Sequence, residues 1–200
     1  MWAMFQPYST DQRAVMGHKV GVDLSFSDEE RHILKRIARE TIDASLSGKK
    51  REKIEVPAKL KEKMGAFVCL KTQGELKGCI GYIRGVMPLN KTVEEMATQA
   101  AFHDPRFSPL SKSEWKHTEI EISVLTPMKK IEDIAEIEIG VHGLFIERDF
   151  ASGLLLPQVA VENGWDKIAF LEHTCTKAGL SKDAWKSKDT KISIFSADVF

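Results

Sequence analysis

Two strand-forming runs joined by a two-residue turn constrain the fold of this chain more than any other feature. Residues 66–72 are rich in strand formers, Gln73-Gly74 supplies a tight turn, and residues 75–82 run back. Strands connected this tightly must be antiparallel. Gly78 and Gly81 in the returning strand would weaken it, so they predict a bulge or the close approach of another group.

Two helices are also predicted in the first half of the chain. Ser27 and Glu30 have the spacing of a capping box before an apolar stripe, which predicts a helix that ends at Gly48. A second apolar stripe predicts a helix over 91–102, and Asn90 before it is a residue type that caps helices.

Further strands follow, with short connections between them. Residues 118–125 alternate between apolar and polar, 137–148 indicate a strand pair bent near Gly140, and 191–200 indicate one final strand. Strands outnumber helices and do not alternate regularly with them, which favours an α+β fold of mainly antiparallel sheet with flanking helices. We expect a partly ordered N-terminal arm over 1–24 and one domain over 25–200.

Composition and charge narrow the class of protein. Lys plus Arg and Asp plus Glu both number 29, so no net charge directs the chain to nucleic acid, and we expect no such partner. No apolar run approaches the roughly 20 residues that span a bilayer, and the first residues do not resemble a signal peptide. The three cysteines, Cys69, Cys79 and Cys175, form no CxxC pair and are a poor disulfide framework, which indicates a reducing, cytoplasmic location.

Five segments in the same order along the chain resemble the AMMECR family. They are Leu76–Gly81, Ala100–Phe107, Glu119–Pro127, Gly140–Leu144 and Leu155–Ala160. The resemblance runs from about residue 27 to the end of the chain. One departure stands at position 77, where this chain has lysine and the family usually has arginine, so the charge is kept but the bidentate fork is lost.

The resemblance implies two unequal lobes with a cleft between them, and no established activity. Microbial relatives are often encoded beside a Memo-like protein and a radical SAM enzyme, which implies a shared modification pathway, and human relatives have been linked to nuclear or regulatory roles. We expect no cofactor. The oligomeric state does not follow from the sequence.

Cys79 is the leading candidate for a catalytic residue. Its flanking glycines leave the thiol open to approach, Lys77 would favour the thiolate, and His103 or His142 could act as the base. The alternative is that Cys79 is a small buried apolar residue in a tight strand. Gly78 belongs to the same candidate site as a substrate-binding residue.

Two carboxylates share one face of the strand over 118–125. Glu119 and Glu121 could share a proton, bind a substrate or pair with cations, and the alternative is an exposed face with ion pairs to lysines. Glu121 is more central and is the candidate acid or base. No metal site is predicted, because His103, His142 and Glu121 have no local ligand spacing.

Three further residues are candidates for substrate binding. Asp104 and Arg106 follow the second helix in a loop, the kind of segment in which sites are built. The alternative is structural, with Asp104 capping a turn or pairing with Arg106. Gln158 follows an apolar strand, where an amide can orient a substrate or satisfy buried backbone groups.

Two classes of function remain open. The first is an enzyme, or an enzyme's partner, that acts on a small or nucleotide-like substrate in the cleft with Cys79 as nucleophile. The second is a non-catalytic binding or adaptor module that recognises a protein or peptide through the same cleft. Rapid alkylation of Cys79 at neutral pH would favour the first class.

Overall fold

A computed structural model describes residues 20–200 of the chain. The prediction of a partly ordered arm over 1–24 falls mostly outside this range and stays a prediction. In the described part, helices and two four-stranded antiparallel sheets confirm the α+β fold. None of the helices in this part is both long enough and apolar enough to cross a membrane.

The secondary-structure elements are as follows. The helices are α1 (Asp28–Ser47), α2 (Leu89–Phe102), α3 (Lys112–Trp115), α4 (Pro157–Glu162) and α5 (Lys167–Lys177). The strands are β1 (Ala66–Thr72), β2 (Glu75–Tyr82), β3 (Thr118–Leu125), β4 (Lys129–Ile131), β5 (Gly143–Arg148), β6 (Ala151–Leu155), β7 (Lys191–Phe195) and β8 (Ala197–Val199). The sheet orders are β2-β1-β3-β8 and β4-β7-β5-β6.

The described chain forms two compact units. We call residues 24–125 with 198–200 the N-terminal unit, and residues 20–23 with 126–197 the C-terminal unit. Each unit holds one of the two sheets, apart from Ala197 at the start of β8. The cleft that the family resemblance implies stays a prediction.

The predicted capping box of α1 is confirmed. The Glu30 amide donates to Ser27 Oγ at 3.1 Å, and the Ser27 amide donates to Glu30 Oε2 at 3.0 Å. The helix ends at Gly48, which has a φ of 70° and donates its amide to the Ala44 carbonyl. A left-handed residue directly after a helix favours glycine, because glycine has no Cβ to clash with the backbone.

The predicted hairpin of β1 and β2 is confirmed with the same bounds. Gln73 and Gly74 have φ values of 52° and 87°, the conformation of a tight turn whose twist matches that of the two strands. Leu70 faces Gly78, but Lys71 faces Leu76, so Lys77 is an extra residue on β2. The glycine pattern had indicated such a bulge.

The core of the N-terminal unit lies between one face of its sheet and the two long helices. Helix α2 packs on β1 and β2, and α1 packs on α2 and β3. The alternation of β3 is confirmed, since its apolar side chains point to this core. The core side chains of the sheet include Val68, Leu70, Ile80, Ile122 and Val124.

The C-terminal unit packs α5 against β5 and β6. The helix begins after Asp166, whose side chain accepts a hydrogen bond from the Ala169 amide. Gly153 on β6 lies against the last turn of α5, where a Cβ would meet the Thr174 carbonyl and the Ala178 amide. This strand therefore needs a glycine to let the helix approach.

The prediction of a strand pair over 137–148 is wrong. Only 143–148 forms a strand, and its partners are β6 and β7. The amides of Val141 and His142 both donate to the Glu138 carbonyl, at 3.2 and 2.9 Å. These bonds close a turn where the first strand was expected.

The prediction of one strand over 191–200 is also wrong. β7 ends at Phe195 and β8 begins at Ala197, and the two belong to different sheets. Ser196 between them exchanges hydrogen bonds with Thr126, donating its amide to Thr126 Oγ1 at 2.8 Å and accepting the Thr126 amide at 2.9 Å. These bonds take the Ser196 main chain out of both sheets.

The predicted second helix is confirmed, but its cap is not. Helix α2 begins at Leu89, so Asn90 lies inside the helix, and the capping position is occupied by Pro88. The Leu89 amide donates instead to the Glu62 carbonyl at 2.8 Å. A main-chain acceptor from a neighbouring segment thus replaces the side-chain cap.

We predict that Gly78→Ala strongly destabilises the N-terminal unit. A Cβ at this position would meet the Ala100 carbonyl of α2 far inside contact distance, and a backbone atom cannot move aside as a flexible side chain can. We expect a loss of about 3 kcal/mol in the free energy of unfolding by urea. Glu75→Ala, at an exposed position of the same strand, is the control and should change stability little. Equal stability of the two variants would contradict this packing.

Candidate functional site

An ion pair encloses the main chain of Cys79. The Cys79 amide donates to Asp104 Oδ2 at 2.9 Å, and the Arg106 guanidinium donates to the Cys79 carbonyl at 3.1 Å. Arg106 Nε also donates to Asp104 Oδ1 at 2.8 Å, and the guanidinium lies over the Phe107 ring. We call this arrangement the Asp104–Arg106 clamp.

The position of β2 in the sheet explains the clamp. Within residues 20–200, β2 is an edge strand that pairs with β1 alone. The amide and the carbonyl of Cys79 point away from β1, to the open edge, where unpaired main-chain groups would otherwise attract another strand. The turn after α2 brings Asp104 and Arg106 to this edge, so both groups are satisfied within the chain.

Cys79 forms a disulfide with Cys69. The two residues face each other on β2 and β1 with their Cα atoms 4.0 Å apart, and each is only 6% exposed. The expectation that the three cysteines form no disulfide framework is therefore wrong. Cys175 is the free cysteine, buried on α5. In this structure Cys79 is a bonded sulfur and not a free thiol.

Glu121 lies in the same row of the sheet as the two cysteines. Cys69 faces Cys79 on one side and Glu121 on the other, so the row crosses β2, β1 and β3. Lys71 Nζ donates to Glu121 Oε2 at 3.0 Å. Glu119 faces Lys71 in the register and is exposed. The two carboxylates were expected either to act on a substrate or to pair with lysines. In the structure, Glu121 is paired with a lysine.

Lys77 binds away from Cys79. Its ammonium donates to Glu114 Oε1 at 2.7 Å and to Ser108 Oγ at 3.1 Å. Hydrogen bonds from Lys77 and Ser111 lower the pKa of Glu114 to about 2. Lys77 was expected to favour a thiolate at Cys79. In the structure its ammonium is instead bound by Glu114 and Ser108.

The clamp keeps Asp104 ionised. Burial by itself would raise the pKa of Asp104, but hydrogen bonds from the Arg106 side chain and the amides of Cys79 and Arg106 outweigh it and hold the pKa below its usual value. Asp104 is only 4% exposed. It is a permanent acceptor at neutral pH and not a proton donor.

The remaining predicted site residues are spread over both units. His103 is the exposed residue that ends α2. His142 lies in the C-terminal unit, where its Nδ1 accepts the Glu138 amide at 3.1 Å. Gln158 is buried in the first turn of α4, also in the C-terminal unit. No three His, Cys, Asp or Glu side chains within residues 20–200 group as metal ligands.

The N-terminal unit thus brings together most of the predicted site. At or near the hairpin edge lie five of the predicted residues, and Glu121 lies in the same sheet. The five are Lys77, Gly78, Cys79, Asp104 and Arg106.

Sequence reasoning missed three residues that complete this site. Cys69 bonds Cys79, Lys71 binds Glu121, and Glu114 binds Lys77. The first two lie on β1, but their partners are set by the bulge in β2 and by the packing of β3 beside β1, which no local pattern in the sequence shows. Glu114 carried a separate signal, because Ser111 and Glu114 have capping-box spacing before a short helix.

The sequence profile of the AMMECR1 family matches residues 35–200 of this chain. The chain belongs to the AMMECR1 family. The match includes every candidate residue, from the hairpin of β1 and β2 to Gln158 on α4.

Relatives of this AMMECR1 protein come from archaea and bacteria. Protein MK0488 of Methanopyrus kandleri is 48% identical over 182 residues, which cover 86% of this chain and 88% of that protein. A protein of Aquifex aeolicus is 50% identical over 160 residues, 74% of this chain and 82% of its own. The crystal structure of the uncharacterized protein PH0010 from Pyrococcus horikoshii matches with a TM-score of 0.83 and 41% identity, over 87% of this chain and 92% of that one.

We predict that Asp104→Asn destabilises this AMMECR1 protein by about 3 kcal/mol, because it leaves the Arg106 charge half-buried without its counter-ion. Urea unfolding measures the loss. Hydrogen exchange of the Cys79 amide should also accelerate. The control is Asp149→Asn, at an exposed turn position with a φ of 53° that asparagine tolerates. An unchanged midpoint for Asp104→Asn would contradict the clamp.

We predict that Glu114 makes a pH-dependent contribution to the free energy of unfolding. Its pKa is lowered in the folded state, so its stabilising effect is present above the unfolded pKa near 4.5 and is lost as the pH falls toward about 2. At pH 6, Glu114→Gln should be less stable than the wild type by about 0.5–1 kcal/mol, since the pair is partly exposed. Glutamine keeps the capping box, so the difference isolates the charge.

A double-mutant cycle provides the check on this pH dependence. In a Lys77→Met background, Glu114→Gln should cost much less at pH 6 than it does in the wild type. Urea unfolding between pH 6 and pH 3 would show the wild-type difference shrinking. A difference that stays constant with pH would show that the ion pair contributes nothing.

Proposed function

We propose that this protein is an enzyme, or the partner of one, that acts on a small or nucleotide-like substrate, with Cys79 as its nucleophile in the reduced state. The observation that carries the proposal is the Asp104–Arg106 clamp. A half-buried guanidinium and a buried carboxylate are held at the main chain of one residue, and that residue bears a thiol.

The energetics of the clamp support this function. Removing two charges from water is costly, and a neutral side chain or a neighbouring strand would satisfy an edge amide and carbonyl at lower cost. A cysteine that only fills space needs no such arrangement. A nucleophile does, because its reactive atom must be held in one position relative to the substrate.

The proposed roles follow from the position of each residue. The Cys79 sulfur attacks the substrate, while Asp104 and Arg106 are positioning residues that hold its main chain. Glu121 is the proposed acid or base, held by Lys71. Of the two candidate histidines, His103 is preferred as the base because it belongs to the same unit as Cys79.

The other predicted residues keep secondary roles in the proposal. Lys77 and Glu119 lie on the strands beside the row of Cys79 and Glu121, and they are proposed to contact the substrate. Gly78 is buried against Ala100 of α2, and its proposed role is to let the helix approach the strand that carries Cys79. His142 and Gln158 belong to the C-terminal unit. Their roles in catalysis and in substrate binding stay predictions.

A non-catalytic binding module is the second candidate. It is favoured by the ion pairs of Lys71 with Glu121 and of Lys77 with Glu114, which engage the charged groups that catalysis would use. Charged side chains held in fixed pairs suit the recognition of a protein or peptide. The Memo-like protein and the radical SAM enzyme encoded beside microbial relatives are the proposed partners.

Thiol reactivity tests the catalytic proposal. We predict that iodoacetamide at pH 7 alkylates Cys79 of the reduced native protein about tenfold faster than Cys69 or Cys175, because an activated cysteine reacts as its thiolate. Peptide mass spectrometry measures the three rates. Cys175 is the internal control, since burial raises the pKa of its thiol.

Equal and slow alkylation of all three cysteines would rule out Cys79 as an activated nucleophile. That result would favour the non-catalytic binding module, which a binding measurement tests. Lys77→Ala and Glu121→Ala would then be expected to weaken binding to a purified Memo-like protein, with Lys116→Ala at an exposed position as the matched control.

A further inference from the structure

We propose that Cys69 is a redox lock on Cys79. While the Cys69–Cys79 disulfide is formed, Cys79 has no free thiol to react. Reduction of the disulfide by a dithiol restores that thiol. This inference rests on the proposed function in one respect only, namely that the released thiol is the nucleophile. The lock itself can be measured without any activity.

The bulge in β2 supports the lock. A two-residue hairpin without an extra residue would set Cys69 opposite Gly78, because Thr72 faces Glu75 and Lys71 faces Leu76. The single extra residue, Lys77, shifts the register so that Cys69 faces Cys79. The irregularity of the strand thus creates the sulfur pair, and Gly78 stays under α2, where no larger residue fits.

The clamp allows the bond to open and close. Asp104 and Arg106 hold the Cys79 main chain from the outer edge of β2, and these hydrogen bonds do not involve the sulfur. We therefore expect the clamp to hold the strand in the same position when the sulfurs are not bonded. A pair whose scaffold does not depend on the disulfide can cycle between its two states.

The disulfide is not needed to close the hairpin. The two cysteines are 10 residues apart, and the intervening loop is already closed by the tight turn and by the ladder of β1 and β2. Cross-links stabilise most when they close long, otherwise open loops. A short cross-link inside a formed hairpin is therefore better explained by its chemistry than by its effect on stability.

Reduction proceeds by thiol–disulfide exchange with a dithiol reductant. A thiolate of the reductant attacks one of the two sulfurs, the protein's S–S bond breaks, and the departing cysteine sulfur takes up a proton. The second thiol of the reductant then attacks the mixed disulfide and releases the other cysteine. The reductant leaves as a disulfide, and two electrons and two protons have passed to the Cys69–Cys79 pair.

The position of Glu121 adds a proton-handling group to this pair. Glu121 faces Cys69 across β1 and β3, and its side chain is 27% exposed. Its carboxylate accepts a hydrogen bond from Lys71, and it lies on the same face of the sheet as the two cysteines. Glu121→Gln should slow the exchange with the dithiol while leaving the two end states unchanged.

A redox titration of the full chain tests the lock. The native protein is equilibrated in mixtures of reduced and oxidised dithiothreitol, quenched in acid, and alkylated after denaturation. We expect Cys69 and Cys79 to become alkylated together in one two-electron transition, while Cys175 is alkylated throughout. Independent labelling of Cys69 and Cys79, or full labelling of both under oxidising conditions, would overturn the proposal.

A second measurement separates the lock from the proposed function. Cys69→Ser should leave Cys79 alkylated in the native protein at a rate independent of the redox buffer, whereas Cys175→Ser, the matched control, should behave as wild type. A two-electron transition together with slow alkylation of the reduced Cys79 would support the redox lock. It would also show that Cys79 is not an activated nucleophile. Redox-dependent labelling of Cys79 in Cys69→Ser would reject Cys69 as its partner.

Discussion

The open edge of β2 is the constraint on which the site depends. An edge strand exposes main-chain donors and acceptors, and at Cys79 these groups are bound by a carboxylate and a guanidinium instead of another strand. The residues that do this must come from the chain that leaves α2, and α2 reaches the strand closely only because Gly78 has no side chain. The helix position, the clamp and the cysteine main chain therefore form one arrangement.

The hairpin could be predicted from the sequence, but its sulfur pair could not. The tight turn and the strand-forming residues on either side of it defined both β1 and β2 with their bounds. The pairing of Cys69 with Cys79 depends on one extra residue at Lys77, and glycines near a strand indicate a bulge without saying which residue is added. A shift of one position changes the partner of Cys69 from Gly78 to Cys79. Local pattern does not define such a register.

The other differences between prediction and structure also arise because local sequence pattern does not define contacts between distant segments. The strand predicted over 191–200 runs past Ser196, yet the chain changes sheets there because Ser196 bonds to Thr126, which lies 70 residues away in the sequence. Glu121 was expected either to act on a substrate or to pair with a lysine, and its pairing with Lys71 depends on the packing of β3 beside β1. Contacts between distant segments decide these cases, while faces of strands and helices follow from local periodicity.

Two constraints hold Cys79 from opposite directions, and they differ in kind. The Asp104–Arg106 clamp binds the main chain from the outer edge of the sheet, and its carboxylate stays ionised at neutral pH because its pKa is lowered. The disulfide binds the side chain from the inner strand, and it responds to reductants. The position of Cys79 is therefore fixed while its chemical state can vary. If the same hydrogen bonds held the sulfur itself, reduction would move the residue, and a thiol released in this way would have no defined site in which to react.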